Sequence, residues 1–591
     1  MAPRRAATKT EEAPAASRPS RKRAADESEP EPAKRPRRAA SVKPAEKPAP
    51  KARAAAASVA KDAKASKNKE NVSTKKAPAK SAKAKATAGS QGSSTTTKKS
   101  EKTKDEQPKP KVARVAKPKE PTFNALVPIP SPRAYPVHTY VFGNGDAGQF
   151  GLGPDVMDEI PRPRLQTWIE EGIKEGRFGP KGTGFESLVA GGMHSIAISS
   201  DGRLWSWGVN DEGALGREVV NVPNPEKPGE FLDREELESW PTVVSTLEEK
   251  KFRPVFVGVG DSLTIAVNEE GHAMGWGIFR SASGKLGFQA DSKAEEIKFL
   301  PVTIPGVENV QFCAMECGPN HAIGLTLDGK VYVWGAGENG QLGRRLMSRR
   351  PLNSTRPDPL ALRKIRAVGA GFFHSFAVDD DGVVYAWGLN QYGQLGLPKS
   401  EDKDEPSVWV PTVVPGLDPS VLGGARVTQI SAGEHHSAFL LDDGRVYAVG
   451  RCDSGQLGIA EDHPEYIKMK EADEDYISTP VQVFFPPIPT KDEPAPELPP
   501  YKASDAGKTI NKIVKIDVAG RFSLALSESG NVYSWGTGLS GQLGLGANTE
   551  EQATPARVRW KGGDDWFVED ISAGGQHCFL LASEKVRQDF N

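Results

Sequence analysis

The chain has 591 residues, and its 77 basic and 77 acidic side chains cancel. That balance hides two unlike parts: residues 1–120 carry 33 Lys and Arg against 13 Asp and Glu, a net +20, and the remainder carries a net −20. Four cysteines are too few for a disulfide framework and their spacing fits no metal site; no apolar run approaches a membrane span or the core of a signal peptide, so a soluble, intracellular chain without membrane attachment is expected.

In chain order, residues 1–133 come first, rich in Ala, Lys, Pro, Ser and Thr and almost devoid of bulky apolar side chains. Such a segment cannot bury enough surface to fold, and a disordered basic tail is expected. Its charge suits a polyanion, and DNA is the default candidate because neutralising phosphates requires no fixed geometry. Lys22 and Arg23, then Lys34, Arg35, Arg37 and Arg38 after a spacer, read as a bipartite nuclear import signal, with a solvated charge run as the plain alternative.

A repeat begins at Tyr140-Val-Phe-Gly143 and closes with Phe150-Gly151. It returns at Trp205, Met274, Tyr332, Tyr385, Tyr447 and Tyr533, each an aromatic-bearing strand followed by Gly-x6-Leu-Gly except in the Met274 copy, at intervals of 53 to 86 residues. Upstream of each line except the first lies a second apolar strand and a turn: Asp201-Gly202, Glu270-Gly271, Asp328-Gly329, Asp381-Gly382, Asp443-Gly444 and Ser529-Gly530, read as two-residue hairpin loops. The series is offset, opening on a Tyr-Val-Phe-Gly strand and ending on Ala573-Gly-Gly-Gln-His577. The simplest closure pairs the last strand with the first, which predicts an all-β, seven-bladed β-propeller over 134–583, with 584–591 as a short C-terminal tail. The aromatic before each glycine (Phe142, Trp207, Trp276, Trp334, Trp387, Trp535, with Val449 the exception) is expected between neighbouring blades. A stretch at about 461–510 is acidic and proline-rich and reads as a surface insertion.

Several motifs dissolve into this frame. Gly143-x-Gly145-x-x-Gly148 and its copies at Gly335 and Gly536 match a dinucleotide fingerprint, but a turn follows each and not the helix that would hold a pyrophosphate. No nucleotide cofactor is expected. His194, His321, His374, His436 and His577 recur in register and read as one shared structural hydrogen bond per blade. The third repeat departs from the pattern: eight residues, Ile278 to Lys285, stand where other copies have six, and a local protrusion is expected there.

Ala190-Gly-Gly-Met-His-Ser followed by Val209-Asn-Asp-Glu-Gly-Ala-Leu-Gly-Arg217, and Gly260-Asp-Ser262 followed by Trp276-Gly-x-Phe-Arg280, resemble the second and third repeats of the regulator of chromosome condensation family. Those proteins are chromatin-bound guanine nucleotide exchange factors of the small GTPase Ran, and the resemblance spans about 134–583. It implies that the lengthened loop, Phe279, Arg280, Ser281, Ala282, Ser283, Gly284 and Lys285, is a wedge pressed on the GTPase near its phosphate loop. It implies exchange roles for Asp261 and His435, and an acidic contact at Asp146 on the same face. Asn320 stands where the family often has aspartate. Arg345, Arg349 and Arg350, in the loop after the fourth repeat, are implied contacts to the nucleosome's acidic patch, and an import receptor is implied for the tail. The expected partners are therefore Ran, nucleosome and DNA, and import receptor, for a monomeric nuclear protein without bond chemistry. A chromatin-associated propeller scaffold lacking exchange activity is the alternative.

Overall fold

The structure is a computed structural model that describes residues 123–585 apart from 130–132, 134, 289–295, 346–353, 400–405, 488–501, 503–505 and 510. The import-signal residues, Arg349 and Arg350 lie outside the described residues. The described chain forms seven four-stranded antiparallel sheets and one two-stranded ribbon. Blade one is made from both ends of the repeat region, in the order Ile160–Leu165, His138–Gly143, His577–Glu584, Trp566–Ala573. Tyr140 faces Leu580 and Phe142 faces Cys578 across that seam. The predicted propeller and its closure are thus both present.

Blade two (Phe185–Ala190, His194–Ser199, Leu204–Gly208, Thr242–Val243) shows how a repeat folds. Its second and third strands are buried throughout, as expected for sheets packed face to face around an axis. The hairpin between them differs from expectation in one detail. Gly202 N–H donates to the Ser199 carbonyl at 2.8 Å while Ser199 N–H donates to the Arg203 carbonyl at 2.9 Å, so the loop has three residues and not two. The Asp328-Gly329 turn closes identically, and the two glycines take φ of +84° and +73°. That geometry, a tight turn followed by one left-handed residue, is the three-residue hairpin solution, and it requires glycine at the last position.

The blades are joined by a repeated set of hydrogen bonds. The indole of Trp207 donates to the Gln149 carbonyl of blade one at 2.8 Å, Trp276 to Ala214 at 2.8 Å, Trp387 to Gln341 at 2.9 Å and Trp535 to Gln456 at 3.0 Å. The same carbonyls accept hydroxyls: Ser195 donates to Gln149, Thr264 to Ala214 and Ser375 to Gln341. The histidines complete the seam, His577 Nε2 meeting Ser195 Oγ at 2.8 Å, His194 meeting Thr264 at 3.1 Å, His321 meeting Ser375 at 2.9 Å, His374 meeting Ser437 at 2.8 Å and His436 meeting Ser523 at 3.2 Å. The shared bond predicted for them therefore runs between blades. Leu263 replaces the histidine in blade three, opposite Ala322, and that junction is apolar. Trp334 is fully buried there, and its indole nitrogen has no hydrogen-bond partner among the described residues.

Two stretches carry more structure than their composition suggests. Within 461–510, Pro464–Glu471 is helical and Tyr476–Val483 is the outer strand of blade six, with Ile477, Val481 and Val483 buried. Upstream, within the residues read as tail, the chain from Phe123 packs on the hairpin side of the ring. Asn124 Nδ2 donates to the Thr326 and Ile365 carbonyls at 3.0 Å each, and the Arg366 guanidinium lies 3.7 Å over the Phe123 ring. Arg133 then bridges Glu186 and Glu569 of blades two and one. The four cysteines are unpaired, and burial raises their thiol pKa values, so they behave as small apolar residues.

Two outcomes follow from the seams. Replacing Trp207 or Trp387 by Phe removes a made hydrogen bond and should cost about 1 kcal/mol, whereas Trp334→Phe should be neutral or slightly stabilising because its buried donor is unpaired. Thermal melts of the three variants compare these costs directly. Burial also holds His194 and His321 down to about 4 and His436 and His577 to about 3, against 6.5 ordinarily. With the folded value depressed, each histidine's contribution is complete above pH 6.5 and declines as pH falls toward the folded value. Glu316 and Asp517, raised to about 7 and about 6, act in the opposite sense, so the measurement must be a difference. His577→Gln should gain on the wild type by up to about 1.4 kcal/mol per pH unit below pH 6.5.

Candidate functional site

In every blade the second strand starts where the third ends, so the Gly-x-x-His turns and the Gly-x6-Leu-Gly turns share one face; the Asp-Gly hairpins occupy the other. The anomalous third repeat rises from the first of these faces. Phe279–Ser281 pairs with Gly284–Gly287 as a separate two-stranded ribbon, Arg280 opposite Lys285 and Ser281 opposite Gly284. Ala282 and Ser283 form its tip, and Gly284 takes φ of +124° in open space. Arg280, Ala282, Ser283, Gly284 and Lys285 are exposed, and Ser281 is half-buried. Phe279 is not: it is wholly buried and stacks on Phe288 at 5.5 Å, so it fastens the ribbon to the blade and cannot itself touch a partner.

Both neighbouring blades hold this ribbon. From blade two, the Glu212 carboxylate lies 3.4 Å from Arg280 Nε and 3.4 Å from Lys285 Nζ. From blade four, Asn320 Oδ1 accepts the Arg280 backbone N–H at 2.9 Å and Glu338 Oε1 accepts the Ala282 N–H at 2.6 Å. A carboxamide oxygen accepts that N–H as a carboxylate would, so asparagine at 320 keeps the hydrogen bond without the charge. Asp261 stands at the ribbon's foot, its N–H on the Pro319 carbonyl at 3.0 Å. Surrounding protein pushes its carboxyl pKa up, Arg280 opposing and Glu212 reinforcing the shift. A Cβ on Gly192 would come within 2.1 Å of Asp261 Oδ1, which is a physical reason for glycine in the second repeat there.

A second cluster occupies the same face over blades five and six. His435 packs against Tyr392 at 4.7 Å between ring centroids, and the Arg451 guanidinium lies 4.9 Å over the same ring while pairing with Asp453. Burial lowers the His435 pKa, with Glu434 at 3.5 Å opposing. Between the clusters opens the central channel, about 180 Å³, whose lining includes Gly191, Gly260, Asp261, Pro319, Phe372 and Gly574.

The structure thus brings Asp261, Asn320 and Arg280–Lys285 together on one face, with His435 in the second cluster of that face. Asp146 is exposed in the first repeat's turn, where its N–H donates to Asn144 Oδ1 at 3.0 Å. Arg345 lies elsewhere, against Trp409 of blade five at 5.4 Å. Sequence reasoning missed Glu212, Glu338, Tyr392 and Arg451. They occupy freely varying turn positions, and only the proximity created by ring closure gives them meaning.

The RCC1-like domain model matches residues 138–580, which is nearly the whole propeller. Protein pim1 of Schizosaccharomyces pombe is 34% identical over 469 residues, covering 79% of this chain and 78% of that protein. The guanine nucleotide exchange factor SRM1 of Saccharomyces cerevisiae is 31% identical over 75% of this chain and 86% of its own. The human regulator of chromosome condensation is 29% identical over 75% and 90%. Among solved structures, Prp20p of Saccharomyces cerevisiae, described with its binding to Gsp1p and histones, superposes with a TM-score of 0.63 at 28% identity, over 78% of this chain and 94% of that one. Yeast RCC1 bound to Kap60 gives 0.64 at 27% identity, over 82% and 98%. On the extent of these matches, the chain belongs to the RCC1-like family.

Proposed function

We propose that this protein is a guanine nucleotide exchange factor for the small GTPase Ran and that it acts from chromatin. The observation that carries the reading is the ribbon at 279–287, which replaces a six-residue turn in one blade alone and stands beside Asp261 and Asn320. A protein that binds the nucleotide-free GTPase best must, by linkage, weaken nucleotide binding by the same factor. The exposed tip would distort the phosphate site while Asp261, His435 and Asp146 hold the GTPase across the face. Nucleotide then leaves, the abundant triphosphate rebinds, and the same reciprocity releases the exchange factor. Proton transfer and nucleophilic attack have no part in such a cycle.

The basic tail and Arg345, Arg349 and Arg350 supply the chromatin half of the proposal. Guanidinium forks suit the clustered carboxylates of a histone surface, and the tail suits DNA phosphates and an import receptor. The relatives support this half by what they bind: Prp20p is described with histones, and yeast RCC1 with Kap60.

With catalytic amounts of the full chain, release of fluorescent GDP from Ran should be fast, and Asp261→Ala should slow it roughly tenfold or more in kcat/KM. No acceleration by folded, monodisperse protein would leave a chromatin-bound scaffold as the reading. Deleting residues 1–120 should weaken DNA binding and flatten its dependence on salt by about 0.9 in log–log slope for every phosphate no longer neutralised. An unchanged slope would move DNA binding onto the propeller.

A further inference from the structure

An isolated two-stranded ribbon is marginal at best in water, and the one at 279–287 has only three residues in its first strand. Its foot is fixed by Phe279 against Phe288, but its exposed tip has no apolar backing of its own. What holds the tip is polar and comes from two carboxylates on different blades. Glu338 accepts the backbone N–H of Ala282 at 2.6 Å through Oε1, and its other oxygen accepts the Gly337 N–H at 3.1 Å. That second bond orients the carboxylate from its own blade and aims the first oxygen at the tip. On the opposite flank Glu212, with a side chain only 11% exposed, faces both of the ribbon's cations, Arg280 and Lys285, at 3.4 Å. The two cations lie opposite one another across the ribbon, so one buried carboxylate restrains both strands.

We propose that Glu338 and Glu212 are positioning residues for nucleotide exchange: they hold the ribbon upright between blades two and four before the GTPase arrives. This rests on the exchange reading above and deepens it. A loop ordered in advance spares the complex the cost of ordering it on contact. Neither residue is required to touch the GTPase. Glu338 acts through a backbone N–H, so its contribution depends on an acceptor oxygen at that point and not on net charge. Glu212 acts through charge, because it faces two cations and must restrain both.

Three variants of the full chain test this, Glu338→Ala, Glu338→Gln and Glu212→Gln, each with two readouts. In the free protein, hydrogen–deuterium exchange at the 280–285 amides should accelerate strongly in Glu338→Ala and much less in Glu338→Gln, whose carboxamide oxygen still accepts the Ala282 N–H although its NH2 group no longer accepts from Gly337. In the Ran release assay, Glu338→Ala should lower kcat by about tenfold with KM changed less than twofold, and Glu338→Gln should recover most of that loss. Glu212→Gln, which keeps shape and loses charge, should behave as Glu338→Ala does. Melting temperatures should match the wild type in all three, since the ribbon lies outside the blade core. Equal amide exchange in wild type and Glu338→Ala would overturn the tether. Equal kcat losses in Glu338→Ala and Glu338→Gln, with amide exchange in Glu338→Gln close to wild type, would overturn the positioning role in favour of direct charge contact with the GTPase. Wild-type kcat in Glu212→Gln would remove Glu212 from the proposal. A wild type inactive on Ran would instead defeat the exchange reading and the kinetic claim with it, while the amide readout would still decide whether Glu338 holds the tip.

Discussion

The structure depends on a backbone carbonyl that recurs in the turns of several blades. The oxygens of Gln149, Ala214 and Gln341 each accept an indole N–H and a hydroxyl from the next blade, and the hydroxyl in turn meets a histidine of the blade before. Blades packed only through apolar contact could slide along one another, because dispersion has little directionality. Bonds to a fixed carbonyl remove that freedom and lock each Gly-x6-Leu-Gly turn to its neighbour. A buried indole and imidazole also require partners, so the seam satisfies the core's own polar groups while it sets the geometry of the face.

The unusual element stands at a junction that departs from this scheme. At the junction of blades three and four the hydrogen-bonded seam is missing: Leu263 and Ala322 replace the polar pair, and Trp334 has no acceptor among the described residues. The turn of blade three offers no carbonyl to the Trp334 indole. It lengthens into a ribbon, held by side chains of Glu212, Asn320 and Glu338 in place of the repeat's backbone bonds.

Most of the architecture was legible because it repeats. Strand pairs, interblade aromatics, the histidine register and the closure all follow from a pattern met seven times, and each is present as expected. Where a feature occurs once, the sequence is a poorer guide. Tyr476–Val483 lies between acidic and proline-rich residues that mask its alternation, and it forms a strand because the edge of blade six awaits a partner. Phe123 and Asn124 look like tail, yet Asn124 donates to the Thr326 and Ile365 carbonyls, which belong to blades four and five and lie together only once those blades have packed. Phe279 follows the glycine of its repeat like any turn residue, and its burial becomes visible only with Phe288 behind it. The grouping of Asp261, Asn320 and the ribbon was implied by family resemblance, whereas Glu212 and Glu338 emerge from distance alone.

Blade one has a consequence for how the protein is made. Its first two strands, His138–Gly143 and Ile160–Leu165, leave the ribosome early, but the strand that pairs with His138–Gly143 is His577–Glu584. Throughout synthesis the nascent chain carries an open edge at its start, and six further blades accumulate beside it before that edge is covered. A chain interrupted anywhere before residue 577 keeps the edge exposed and leaves the Ser195 hydroxyl without His577. Closure of the ring therefore waits on His577–Glu584, and until that strand arrives the His138–Gly143 edge stays unpaired.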